Sequence, residues 1–191
     1  MLEGIVLAAG YSSRAGGMKL TFRINGKPLL QHTLQPMLQF CNKIWVVTGY
    51  KKELIEALIS KYPQVEAVYN ADFQQGMFSS VCVGVSKITS ARFFFTPGDI
   101  PFVKPLTYQK LLEKYGKVVI PTYQNRKGHP ILMNSELQKR ILAEPQDSNL
   151  RKVLHKFQPV LVEVDDKAIL KDIDTLEDYK ELHADFSRDS K

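Results

Sequence analysis

The chain has 191 residues, 44% of them hydrophobic and 24% charged, which is enough apolar matter for a packed core and excludes general disorder. Lys and Arg outnumber Asp and Glu by 26 to 20, and the resulting net charge of +6 favours anionic partners. There is no dense basic run and no interleaving of aromatic with basic residues, so a small polyanion such as a nucleotide fits better than a nucleic-acid duplex.

The two cysteines, Cys41 and Cys82, match no metal-ligand spacing and read as reduced, partly buried thiols. So few cysteines suit the cytoplasm. Met1-Leu2-Glu3-Gly4-Ile5 lacks the basic start and long apolar stretch of a signal peptide. No apolar run approaches the roughly twenty residues of a membrane span. A cytoplasmic protein with one domain over residues 1–191 is expected, its last residues, about 184–191, forming a frayed polar tail.

In chain order, Ile5 to Ala9 is a short apolar run ending at Gly10 and predicts a buried parallel strand. A polar, glycine-rich loop follows. Pro28 to Phe40 has helical periodicity, with Leu29, Leu30, Leu34, Met37 and Leu38 near one face and Pro36 as a kink or stop. Ile44 to Thr48 predicts a strand stopped by Gly49. Lys52 to Tyr62 predicts a helix with Leu54, Ile55, Leu58 and Ile59 as its apolar stripe. Val65 to Tyr69 reads as a strand and Met77 to Val85 as a helix after a turn at Gly76. Ala91 to Thr96, with Phe93-Phe94-Phe95, predicts a central strand broken by Pro97-Gly98. Pro105 to Tyr115 starts with a proline where helices favour one. Lys117 to Pro121 is a further strand.

The last third is less regular. Gly128 to Met133 reads as a strand running antiparallel, Glu136 to Leu142 and Leu150 to His155 as short helices, Val160 to Val164 as a strand, and Thr175 to Leu182 as a final helix. Alternating strands and helices predict an α/β fold, a mostly parallel sheet covered by helices on both faces. Ligands of such sheets sit beyond the carboxyl ends of the strands.

One such loop reads Leu7-Ala8-Ala9-Gly10-Tyr11-Ser12-Ser13-Arg14-Ala15-Gly16-Gly17-Met18-Lys19. Its glycines let main-chain N–H groups approach an anion. Ser12 and Ser13 add hydroxyls, Arg14 a bidentate fork, and Lys19 a compact charge. The spacing is neither the Walker pattern nor the dinucleotide fingerprint. On spacing alone it is either a phosphate cradle or a solvated surface loop. Asp99, in Thr96-Pro97-Gly98-Asp99-Ile100-Pro101, follows the central strand; it is placed either to hold Mg²⁺ together with substrate phosphates or simply in a turn.

The loop resembles the signature of the Rossmann-like nucleotidyltransferases, and within them most closely the molybdenum cofactor cytidylyltransferases. The resemblance spans Leu7 to Tyr179 with the motifs in order. It implies a three-layer Rossmann-like nucleotidyltransferase fold. Guanylyltransferase relatives usually begin Leu-Ala-Gly-Gly, so Ala9 implies cytidine. Ala15 departs from the methionine usual after the arginine, while Arg14 and Lys19 keep the family's spacing. Gly98-Asp99 matches the metal-binding position. Asp172-Ile173-Asp174-Thr175-Leu176-Glu177-Asp178-Tyr179 resembles a second family segment, with Leu176 in place of proline. By that match Asp174 is a second metal ligand, although Asp174-Thr175 also reads as a helix start. Asp172 and Asp178 are assigned to the turn and the solvated helix face.

Arg126-Lys127-Gly128-His129-Pro130 resembles the family's acceptor segment, so Gly128, His129 and Pro130 are expected beside the acceptor, with His129 making contact and not transferring a proton. Asn70 and Gly76-Met77-Phe78-Ser79-Ser80 resemble a stretch that offers N–H and hydroxyl donors to an anion, or else caps a helix. Lys27 either reaches a phosphate or is an exposed turn lysine.

The implied nucleotide site thus comprises Leu7, Ala8, Ala9, Gly10, Ser12, Ser13, Arg14, Lys19, Lys27, Thr48, Gly49, Asn70, Gly76, Ser79, Ser80 and Gly98. Arg14, Lys19 and Asp99 are the catalytic candidates, and Asp99 and Asp174 the ligands of Mg²⁺. The implied activity is transfer of CMP from CTP to the terminal phosphate of molybdopterin, with a recipient molybdoenzyme as a further partner. A sugar phosphate or another phosphorylated metabolite as acceptor, and a non-catalytic carrier of the cofactor, are the alternatives.

Overall fold

A computed structural model describes residues 1–12, 17–173, 175 and 177–181. The first strand, β1 (Glu3–Ala8), is buried along its whole length. It is the hub of the fold, flanked in parallel by β4 (Lys43–Thr48) and β6 (Arg92–Pro97). On one side the sheet continues from β4 to β5 (Val65–Tyr69), also parallel. On the other side β9 (Ile131–Asn134) runs antiparallel between β6 and β7 (Val118–Tyr123), and β10 (Val160–Glu163) closes that edge parallel to β7. The antiparallel reading of the segment after His129 is therefore met.

Side chains alternate across the sheet, and each face has its own core. Val6, Ala8 and Phe94 pack with α1 (Leu29–Met37), α2 (Lys52–Ile59) and α4 (Pro105–Leu112) through Leu30, Leu34, Ile55, Tyr108 and Leu111. Ile5, Leu7, Phe93 and Phe95 pack with α3 (Met77–Ser86), α5 (Leu137–Leu142) and α6 (Leu150–His155) through Val81, Val85, Ile141 and Val153. Central strands read as unbroken apolar runs because both of their faces are covered.

Helices stop earlier than periodicity predicts. Pro36, which has no N–H to donate, sits near the end of α1, and the helix closes at Met37 rather than Phe40. The helices predicted to reach Tyr62 and Tyr115 end at Ile59 and Leu112. Leu54, expected in a buried stripe, is 46% exposed; Ile55 and Ile59 carry the packing of α2. Two short hairpin strands were not expected: β2 (Arg23–Ile24) pairs with β3 (Lys27–Pro28) across Asn25-Gly26, and β8 (Arg126–Lys127) folds back on β7. The predicted frayed tail lies outside the described residues. Among those described, no helix is long and apolar enough to cross a membrane. Cys41 and Cys82 are free thiols, and burial pushes Cys41 up to about 12.

Two buried carboxylates hold elements in place. Asp166 accepts from Lys104 N at 2.8 Å and Thr107 Oγ1 at 2.7 Å, and so caps α4 from across the chain. At the amino end of β1, Glu3 accepts from Thr89 N and Ser90 N, each at 2.7 Å, and from Trp45 Nε1 at 3.2 Å. Burial raises the Glu3 pKa, but these donors more than offset it and leave the carboxyl below its ordinary value. A lowered folded-state pKa contributes stability above the unfolded value, roughly 4.3, and that stability is lost as pH falls through the folded pKa. Urea unfolding of Glu3→Gln should therefore show a loss of about 1–3 kcal/mol at pH 7 and a smaller loss at pH 3. An equal loss at both pH values would contradict this role.

Candidate active site

From β1 the chain runs through α1, β4 and α2 to β5 on one side, then through α3 across to β6 on the other. This reversal of strand order opens a crevice beyond the carboxyl ends of β1 and β6, the usual ligand position in such sheets. The loops that leave these two strands carry Lys19 and Asp99.

The backbone that presents Asp99 is fixed from three directions. Gly98 N donates to Leu7 O at 2.9 Å, tying the loop to the end of β1. A Cβ on Gly98 would lie 2.8 Å from that same oxygen, so a larger residue would push the two strand ends apart. Thr33 Oγ1, buried on α1, donates to Gly98 O at 2.7 Å. Ile173 N donates to Asp99 O at 3.0 Å, which brings the C-terminal segment onto the same loop. Asp174 itself lies outside the described residues.

Lys19 begins a 3-10 turn, Lys19–Thr21, whose buried Leu20 anchors it and whose Thr21 Oγ1 donates to Met18 O at 2.7 Å. Its Nζ lies 2.6 Å from Asp99 Oδ2, and the two side chains are only 13% and 19% exposed. The end of the glycine-rich loop and the turn after β6 thus meet in a sheltered ion pair. At the start of the loop, Ala9 O accepts from Tyr50 N at 3.2 Å, and the Tyr11 ring lies 5.2 Å from Tyr50 and 5.3 Å from Phe73. Ser12 adopts a left-handed backbone with φ 54° and is partly exposed beside Gly10. Ser13 and Arg14, expected to contact phosphate, lie outside the described residues.

Thr48 is the buried last residue of β4, and Gly49 follows it against Ala9 and Phe73. Asn70, buried after β5, donates through Nδ2 to Ser79 Oγ at 2.8 Å and to Ser80 Oγ at 2.9 Å, and accepts from Asp72 N at 3.0 Å. It therefore clamps the end of β5 to the first turn of α3. The cap position of α3 is Gly76, with no side-chain capping bond, so the alternative of a side-chain cap from Ser79 or Ser80 is not what the structure shows. Lys27 stands exposed on the β2–β3 hairpin.

On the other flank, Gly128 N donates to Pro121 O and His129 N to Ile169 O. Gly128 is buried against the Ile169 backbone, where a Cβ would collide. The His129–Pro130 bond is cis, and the His129 ring is 6.2 Å from Phe95. The hairpin above it is pinned by Glu163, which accepts from Thr122 Oγ1 at 2.6 Å and Gln124 N at 2.9 Å. Asp178, assigned from sequence to a solvated helix face, instead accepts from Thr175 N at 2.7 Å and Thr175 Oγ1 at 2.8 Å. Tyr179 Oη donates to Arg23 O at 2.7 Å, and its ring packs on Phe22, just past the Lys19 turn.

Residues 4–161 match the model of the MobA-like NTP transferase domain. The chain belongs to that family. It is 28% identical to the molybdenum cofactor cytidylyltransferase of Escherichia coli K12 over 93% of each chain. It is 30% identical to a probable molybdenum cofactor guanylyltransferase of Thermococcus sibiricus over 67% of this chain and 65% of that one. In fold it is similar to a Methanothermobacter nucleotidyl transferase, with TM-score 0.85, 24% identity and 98% of each chain covered. A Mycobacterium tuberculosis protein solved with manganese superposes with TM-score 0.79 at 21% identity, over 96% of this chain and 98% of that one.

A nucleotidyltransferase must bring two anionic reactants together, and the site of this MobA-like NTP transferase suits that task through cations and fixed backbone. Among the described residues no three His, Cys, Asp or Glu side chains cluster as a ready metal cage. Asp99 nevertheless offers hard carboxylate oxygens toward a cation position, the donor chemistry Mg²⁺ takes when phosphates and water complete its shell. His129 is no cation here: burial drives its pKa down to about 4, with the nearby Asp99 pulling the other way. Proton NMR of the His129 ring should show it neutral from pH 8 to about 5, and Asp99→Asn should lower the midpoint further. A midpoint near the ordinary histidine value would refute this picture of a buried, neutral His129.

Proposed function

We propose that this nucleotidyltransferase transfers CMP from CTP to the terminal phosphate of molybdopterin. The observation that carries the reading is the Lys19–Asp99 pair at the crevice between β1 and β6, where the glycine-rich loop meets a carboxylate held by its backbone. The nearly full-length match to a cytidylyltransferase, and Ala9 at the position where guanylyltransferase relatives carry glycine, support CTP as donor.

In the reaction, an oxygen of the acceptor phosphate bonds to the α-phosphorus of CTP, and the bond from that phosphorus to the α–β bridging oxygen breaks. Pyrophosphate leaves with the electron pair. The phosphate dianion is already nucleophilic, so no general base is required, in keeping with a neutral His129. A Mg²⁺ held by Asp99 and Asp174 would supply charge neutralisation across the phosphates. Lys19 and Arg14 hold the β- and γ-phosphates and stabilise the leaving group. Asn70 fixes the α3 turn that borders the nucleotide, and Gly128 to Pro130 line the acceptor side. Catalysis then rests on alignment and electrostatics.

The test is pyrophosphate release with CTP, GTP, ATP or UTP, with molybdopterin or sugar phosphates as acceptor. Release specific to CTP and molybdopterin is expected, and Asp99→Ala should lower turnover by about 100-fold or more. Preference for GTP would overturn the base assignment. Nucleotide binding without pyrophosphate release from any acceptor would favour a carrier over an enzyme for the pterin.

A further inference from the structure

We propose that Lys19 guards the Asp99 carboxylate in the nucleotide-free protein, so that a divalent cation gains this ligand only when the polyphosphate of a nucleotide draws Lys19 away. The inference rests on the reading of Asp99 as a metal ligand and adds an order of binding to it. Lys19 Nζ is 2.6 Å from Asp99 Oδ2, in a position sheltered enough that bulk water and salt screen the pair weakly. A hard dication needs that carboxylate at about 2.0–2.1 Å. It cannot share the oxygen with an ammonium group without strong like-charge repulsion.

One partner of the pair is fixed and the other can move. Asp99 sits on backbone held by Leu7, Thr33 and Ile173. Lys19 carries its charge on a long, flexible stem that starts at the end of the glycine-rich loop. A polyanion arriving along that loop would attract the ammonium group and repel the carboxylate, and of the two it is the ammonium group that is carried on a long, flexible stem. A hard dication fills its shell with several oxygens, and a carboxylate or two leaves most of those positions to phosphates and water. The phosphates that release Asp99 are the same groups that complete the metal's shell. Metal and nucleotide must therefore strengthen each other's binding, and by linkage the effect is reciprocal.

Mn²⁺ titrations of nucleotide-free protein, read by electron paramagnetic resonance of the free ion, test the guard directly. Wild type and Lys19→Arg should bind weakly. Lys19→Met should bind at least about tenfold more tightly, and the gain should vanish in Lys19→Met/Asp99→Asn. Wild-type binding as tight as Lys19→Met, or a gain that survives loss of Asp99, overturns the proposal. A second measurement does not depend on the Lys19→Met fold alone: calorimetric CTP binding in EDTA. Asp99→Asn should tighten it about tenfold by removing the ion pair with Lys19, and should do so much less in a Lys19→Met background. Equal tightening in both backgrounds would mean simple relief of repulsion and would also overturn the proposal. The metal-ligand reading fails separately if Asp99→Asn leaves the Mn²⁺ spectrum of the CTP-saturated protein unchanged.

Discussion

The bond from Gly98 N to Leu7 O is the constraint on which the site depends. It locks the loop after β6 to the end of β1 at the point where strand order reverses. Without it the glycine-rich loop and the aspartate turn would be neighbours only on average. With it, a lysine and an aspartate that are far apart in sequence meet at 2.6 Å. The absence of a side chain at Gly98 is as necessary as the bond, because a Cβ would strike the accepting carbonyl. Electrostatics at the site is thus a product of close backbone packing between two parallel strands.

The same logic extends outward. Glu3 stabilises the opposite end of β1, gathering donors from Trp45 and from the turn that leads into β6. The hub strand is thereby tied to β6 at both ends. Asn70 does similar work between β5 and α3, and Glu163 and the Ile169 backbone do it around the β7–β8 hairpin and Gly128-His129. Glu3 and Glu163 draw on donors distant in sequence, whereas Asn70 is satisfied within the β5–α3 connection; the two buried ones, Glu3 and Asn70, are paired as buried polar groups must be. Asn70, Glu163 and the Ile169 backbone tie down segments that follow β5, β7 and β8, the kind of bracing expected where rate comes from positioning charges.

Much of this was legible in the residues, for reasons that are physical. Runs such as Ile5 to Ala8 and Phe93 to Phe95 admit only a strand covered on both faces, and Pro105 marks a helix start. Both signals are local. Helix ends were misread because apolar residues continue past them: Leu38 and Tyr62 pack against the core from loops, and Tyr115 is 92% exposed. The β2–β3 hairpin turns on Asn25-Gly26, whose φ values of 48° and 74° are those of a tight turn, but strands of two residues are too short to carry a hydrophobic alternation. Asp178 looked like a surface charge because its partner, Thr175, lies one turn earlier and competes with any solvated reading only once the helix exists.

Within the site, motifs gave residue identities but not their partners. Asp99 could be placed at a strand end, yet nothing in the sequence links it to Thr33 or Ile173, because those contacts arise from the sheet's topology. The pairing of Lys19 with Asp99 was likewise invisible. Each had been assigned to a different ligand, one to phosphate and one to metal. Their mutual contact means that these two assignments cannot be independent. Lys19 and Asp99 neutralise each other across 2.6 Å, so neither is left as a partly buried, unpaired charge. On the proposed roles, the cost of uncovering them is met when both ligands arrive together. With the roles proposed above, this pairing favours binding the nucleotide and the metal as one unit and disfavours capture of either alone.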